Sequence, residues 1–127
     1  VPDMRLYLRR ASIAVAPVPY GAGIQNKVLE AMACGAPVIT SRQAVSALQT
    51  TEGRDLLVAG DSADFARQIL SLLEAPERRY ALGMAGRRYV EQRHAWPQIV
   101  GNLVQLYGGL IQARLSSPAR AVPVFAL

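Results

Sequence analysis

Among the 127 residues there is one cysteine, one histidine (His94) and one lysine (Lys27). Cys34 has no second thiol to pair with, so an intrachain disulfide is excluded and a reducing compartment is expected. Cys34 and His94 lie far apart in sequence and fall short of the three or four ligands a zinc ion takes, so no metal site is expected. No apolar run approaches the roughly 20 residues that cross a bilayer, and nothing has the layout of a secretion signal. Aromatic residues make up only 6%, too few and too scattered for a nucleic-acid stacking platform. The chain begins at Val1 and not at a methionine, which leads us to expect an excised or processed piece.

Hydrophobic residues at 51% and charged residues at 18% give a globular balance, enough for one modest core. The formal charge of +5 and a pI near 10.0 suit phosphate-bearing ligands, anionic membrane surfaces or nucleic acid. The arginines, however, come as separated pairs at Arg9-Arg10, Arg78-Arg79 and Arg87-Arg88, a pattern of solvated helix faces and not of a nucleic-acid stripe. No nucleic-acid partner is expected.

Along the chain, Asp3 to Arg10 reads as a short amphipathic helix with Met4, Leu6, Tyr7 and Leu8 on its apolar side. Ser12 to Val18 and Ala36 to Ser41 are short, β-branched apolar runs of the kind that form buried parallel strands. Between them lie a glycine loop from Pro19 to Gly23 and a helix from Asn26 to Cys34, with Asn26 as a candidate N-cap and Gly35 as the stop. Strand, loop, helix and strand make a right-handed βαβ unit. A short helical stretch over 44–48, a polar turn over 50–54 and a third strand over 55–59 follow. Asp61 or Ser62 caps a helix over 63–73 with Phe65, Ala66, Ile69, Leu70, Leu72 and Leu73 as its apolar stripe. Pro76 opens another helix, expected to bend at Gly83 or Gly86, and a last helix runs from Trp96 to about Gln112 before an irregular tail. The fold class is therefore α/β, with a parallel sheet of about three strands and about six helices. That is few strands for a complete doubly wound sheet, and the missing ones are expected before Val1.

Ligands of open parallel sheets bind at the carboxyl ends of the strands. The loop and helix start from Tyr20 to Lys27 occupy that place. Gly21 and Gly23 let the main chain approach a ligand, and the first N–H groups of the helix present the positive end of its dipole, a cradle for a phosphate or diphosphate. Lys27 adds a point charge in the first turn. Glu30 is the only carboxylate between Asp3 and Glu52 and sits among Val28, Leu29, Ala31, Met32 and Ala33, where a charge needs a partner. Its two acceptor oxygens match the neighbouring hydroxyls of a ribose, although pairing with an arginine or capping a backbone group fits the residues as well. Two glycines before a helix also occur simply to make a turn, and the spacing is neither a dinucleotide fingerprint nor a Walker loop.

The stretch Gly23-Ile24-Gln25-Asn26-Lys27-Val28-Leu29-Glu30-Ala31-Met32-Ala33-Cys34-Gly35-Ala36-Pro37-Val38-Ile39 resembles the nucleotide-sugar-binding signature of the group 1, family 4 retaining glycosyltransferases of the two-domain GT-B fold. The resemblance runs to about Gln112. It implies that residues 1–115 are part of the C-terminal, donor-binding Rossmann-like domain, truncated, with 116–127 as the tail. In that family two glutamates flank the glycine loop, one touching the donor sugar and the other holding the ribose. Glu30 matches the second, whereas Ala22 stands where the first is usual. The implied donor contacts are Gly21, Gly23, Ile24, Gln25, Asn26, Lys27 and Glu30. No catalytic acid or base, no metal and no cofactor beyond the nucleoside diphosphate sugar are implied; His94 reads as a packing or capping residue.

The activity expected of the parent enzyme is transfer of a sugar, of hexosyltransferase type, from a uridine- or guanosine-based donor in polysaccharide or glycoconjugate synthesis. The wording of Gly23 to Lys27 is most like bacterial exopolysaccharide-associated transferases. The expected partners are an acceptor-binding N-terminal domain and a second copy of the chain at the truncated sheet edge. The expected setting is the cytoplasm, with the parent enzyme at the inner face of the membrane. This stretch alone is expected to be inactive. The rival reading is a non-catalytic α/β domain that binds a phosphate or nucleotide for regulation.

Overall fold

The computed structural model describes residues 3–20 and 23–116, and divides the chain into a unit ending at His94 and a second beginning at Ala95. In the first unit the order is α1 (Met4–Arg10), β1 (Ala14–Ala16), α2 (Asn26–Ala33), β2 (Val38–Ser41), α3 (Arg42–Val45), β3 (Leu57–Ala59), α4 (Ser62–Leu73) and α5 (Pro76–Arg93). The three strands are parallel in the order β1-β2-β3, with Ala14 opposite Val38 and Ile39 opposite Leu57. The second unit is described through one helix, α6 (Trp96–Ser116). The α/β class, the parallel sheet and the helix count agree with the sequence reading. The tail expected over 116–127 lies, but for Ser116, outside the described residues.

Both faces of the sheet are covered, which is why β2 is buried at all four positions and reads as a continuous apolar run. Strand alternation separates two clusters. Val38 and Val58 join Val28, Met32, Leu56 and Tyr89 on one face, while Ile39, Leu57 and Ala59 meet Leu72 and Leu82 on the other. Each fully buried Val, Ile, Leu or Met contributes about 1.5–3 kcal/mol.

Three local expectations need correction. Helix α4 buries Leu72 and half-buries Phe65 and Ile69, spaced at i, i+4 and i+7, whereas Ala66, Leu70 and Leu73 face solvent, since a single sheet face covers only one stripe. In α1 only Leu8 is half-buried; Met4, Leu6 and Tyr7 are exposed. Helix α5 continues unbroken through Gly83 and Gly86. These glycines permit contact instead of bending: a Cβ on Gly83 would stand 2.2 Å from the Gly35 carbonyl oxygen, and one on Gly86 2.8 Å from that of Asp55.

Gly35 itself has φ +78°, and the N–H groups of Gly35 and Ala36 donate to the carbonyls of Met32 and Ala31. This paired closure of the helix end needs a left-handed residue, supplied here by glycine. It turns the chain from α2 into β2, and α5 packs directly on it.

Candidate functional site

The carboxyl ends of the strands are Ala16, Ser41 and Ala59. Two side-chain bonds tie β2 to the exit of β1: Thr40 Oγ1 donates to the Ala16 carbonyl at 2.9 Å, and Ser41 Oγ to that of Val18. The loop leaving β1 thus starts from a fixed point. A crevice of about 330 Å³ opens across all three strand ends, lined by Val18, Ser41, Gln43, Gly60, Asp61 and Phe65 among others. Ser41 and Gln43 were not among the expected site residues; their signal was position, at the last residue of a predicted strand and just beyond it.

The expected loop ends at Gly23, whose φ of +86° only glycine adopts without strain. A Cβ there would meet no protein atom within 4 Å, so within the chain the glycine is required by the backbone angle. Gly21, like Ala22, lies outside the described residues. Gln25, not Asn26, is the N-cap of α2; Asn26 is already helical, and no side chain caps this end among the described residues. The first backbone donations return to Gln25, from Val28 at 3.0 Å and Leu29 at 3.3 Å. The N–H groups of Asn26 and Lys27, which precede that first bond, lie at the positive end of the helix dipole. Gly23, Ile24 and Asn26 are exposed there and Gln25 is half-buried.

Lys27 and Glu30 line one cleft of about 250 Å³ with Met4, Leu8, Val15 and Ala16. Helical spacing explains the pairing: Val28, Ala31 and Met32 point into the core, and residues 27 and 30 fall beside each other on the flank. The expectation that Glu30 is a buried charge in need of a partner is wrong. Its side chain is exposed and makes no ion pair among the described residues, because water can solvate it on that flank. The carboxylate is therefore not consumed by an internal arginine.

His94 is distant in the sequence from this cleft and caps the C-terminus of α5, its Nε2 3.2 Å from the Tyr89 hydroxyl. Burial, with a smaller contribution from the Arg93 charge, holds it below the usual histidine range. Among the described residues no group of three or more His, Cys, Asp or Glu gathers to hold a metal, and no helix is long and apolar enough to cross a membrane.

A cleft at the start of a helix that follows a parallel strand is shared by many α/β proteins, so relatives decide the family. The model of the glycosyl transferases group 1 matches residues 1–75. The chain belongs to this family. A GDP-mannose-dependent monoacylated alpha-(1-6)-phosphatidylinositol monomannoside mannosyltransferase of Corynebacterium glutamicum is 40% identical over 80 residues, covering 62% of this chain and 21% of that protein. D-inositol 3-phosphate glycosyltransferase 2 of Catenulispora acidiphila is 34% identical over 110 residues, covering 84% and 25%. Among solved structures, sucrose-phosphate synthase from Thermosynechococcus elongatus superposes with a TM-score of 0.76 at 29% identity, over 87% of this chain and 28% of that one. The fold of this glycosyl transferase chain is that of a Rossmann-like GT-B domain, and the chain spans about a quarter of the length of the curated relatives it matches.

Proposed function

We propose that this chain grips the nucleoside diphosphate of a sugar donor and stabilises it as the leaving group of a retaining glycosyl transfer. The observation that carries this reading is the shared cleft of Lys27 and Glu30 beside the uncapped start of α2. The N–H groups of Asn26 and Lys27 receive the diphosphate, the Lys27 ammonium offsets its charge, and the Glu30 carboxylate accepts from two ribose hydroxyls. Gly23, Ile24 and Gln25 bring main chain to the diphosphate or sugar. Charge develops on the diphosphate as the glycosidic bond breaks, so donors fixed in place beforehand lower that barrier. The donor is a guanosine or uridine diphosphate hexose, and the guanosine option draws support from the relative named as GDP-mannose-dependent.

The acceptor and the basic groups facing the leaving diphosphate belong to parts of the enzyme outside this stretch. Nothing among the described residues pairs with the outer edge of β1, and α1 leaves Met4 and Tyr7 uncovered, which suits further strands or a second copy there. Inositol-containing acceptors in the names of the relatives favour a glycoconjugate over an exopolysaccharide. The parent enzyme works in the cytoplasm, at the inner face of the membrane.

Calorimetric titration of the chain with GDP and UDP tests this. Weak, saturable binding that disappears in Glu30→Ala is expected, while binding indifferent to that change would favour the regulatory-domain reading. Incubation with sugar nucleotides and acceptors is expected to give no product, and steady turnover would contradict the division of labour.

A further inference from the structure

At the other end of the sheet, where the chain turns into β3 and the second half of α5 passes over it, lies a separate pocket of about 280 Å³. Its wall carries three guanidiniums, those of Arg54, Arg88 and Arg93, with the Gln92 amide and the Tyr89 hydroxyl, against a single carboxylate, Asp55. That carboxylate is already spent. It is buried, its Oδ1 accepts from Arg54 Nε at 2.8 Å, and its Oδ2 accepts from Arg54 Nη2 at 3.0 Å and the Thr51 N–H at 2.8 Å.

The remaining cations are not matched by carboxylates among the described residues. Among the described residues neither Arg88 nor Arg93 has a carboxylate within ion-pair distance; Glu91 pairs with Arg87 on another side of α5. Arg93 is held in place by donating to Gln49 Oε1 at 2.6 Å, and the Tyr89 oxygen is held by the Gln49 N–H at 3.0 Å. Arg54 uses two of its three nitrogens on Asp55 and keeps the third. His94, which touches Tyr89 from behind, is kept neutral by burial and by Arg93, so it adds no charge. The pocket therefore presents a surplus of two positive charges, planar forks and a fixed hydroxyl, a combination matched to a phosphate dianion. A second cleft of about 310 Å³ shares Arg54, Ala85 and Arg88 and leads to Arg78, giving room for a substituent on the phosphate.

We propose that this pocket is a binding site for a phosphate monoester, independent of the donor cleft at α2. The shared chemistry covers a soluble sugar or inositol phosphate and a phosphorylated lipid headgroup.

The test is titration of the chain with inorganic phosphate, followed by amide NMR at constant ionic strength set with sodium chloride. Saturable shifts are expected at residues 49–55 and 85–93. Arg88→Gln weakens binding at least tenfold, Gln92→Glu abolishes it, and Arg9→Gln, the same charge loss on α1, leaves it unchanged. Shifts that do not saturate, or that survive both pocket variants, overturn the proposal. Vesicles of phosphatidylcholine with and without phosphatidylinositol 4-phosphate separate the sources. Capture by the phosphorylated vesicles, reversed by free phosphate, assigns a headgroup, and phosphate binding without capture assigns a soluble ester.

Discussion

Substituting alanine for Gly83 tests how α5 is held against the Gly35 turn that closes α2. Alanine is the better helix former by about 1 kcal/mol, so on propensity alone Gly83→Ala stabilises α5. The packing predicts the opposite. The new methyl carbon would stand 2.2 Å from the Gly35 carbonyl oxygen, 3.2 Å from its carbon and 3.4 Å from the Pro37 nitrogen, all of them main-chain atoms that no rotamer change can clear. Ordinary contacts lie near 3.5 Å, so α5 has to retreat by about 1 Å, loosening Leu82 and Tyr89, which sit in the two core clusters. Overpacking costs about 1–3 kcal/mol; against main-chain atoms that cannot rotate away the upper part of that range, about 2–3 kcal/mol, applies, and after the propensity gain a net loss of about 1–2 kcal/mol remains. For a unit of this size that is a fall in Tm on the order of 10 °C. Thermal unfolding followed by circular dichroism measures it. Gly108→Ala in α6, where nothing lies within 4 Å of the added methyl, is the control and lowers neither helix content nor Tm. A Gly83→Ala chain that melts at or above the parent would refute the packing of α5 on the Gly35 turn.

Gly23→Ala has open space but the wrong backbone angle, so it costs about 1 kcal/mol in equilibrium unfolding and weakens nucleotide binding more than stability. Asp61→Ala removes the side-chain cap that accepts from the Asp64 N–H at 2.8 Å, and urea titration is expected to show a loss of about 1 kcal/mol. Burial raises the Asp55 carboxyl, but the hydrogen bonds from Arg54 and Thr51, with the charges of Arg54 and Arg88, together bring it below the ordinary carboxylate range. The folded state then binds fewer protons than the unfolded one, so this stability is present above the unfolded value of 3.8 and fades as the pH falls through the folded one. A urea midpoint that drops between pH 5 and pH 3 in the parent, and drops less in Asp55→Asn, is the expected result.

Much of the fold was legible because its signals are local. The β-branched runs became β1 and β2, Gly35 closed α2, and Asp61 capped α4. What escaped were facts set by neighbours distant in sequence. Gly83 and Gly86 look like bends in a helix taken alone, and only the packing of α5 on the Gly35 turn and on Asp55 reveals them as points of contact. Glu30 reads as a stranded charge between apolar residues, yet the helical period places it on the wet flank. The Lys27–Glu30 pairing was readable from their spacing, whereas Ser41 and Gln43 join the crevice through the parallel register of three strands. The arginine pocket was hidden for the same reason, since Arg54 and Arg88 are brought together only by tertiary folding.

A crystal structure of the chain with bound GDP tests the central claim most directly. The account predicts diphosphate oxygens within hydrogen-bond distance of the Asn26 and Lys27 N–H groups, with both ribose hydroxyls on the Glu30 carboxylate. A nucleotide seated elsewhere, with Glu30 still turned to solvent, would contradict it.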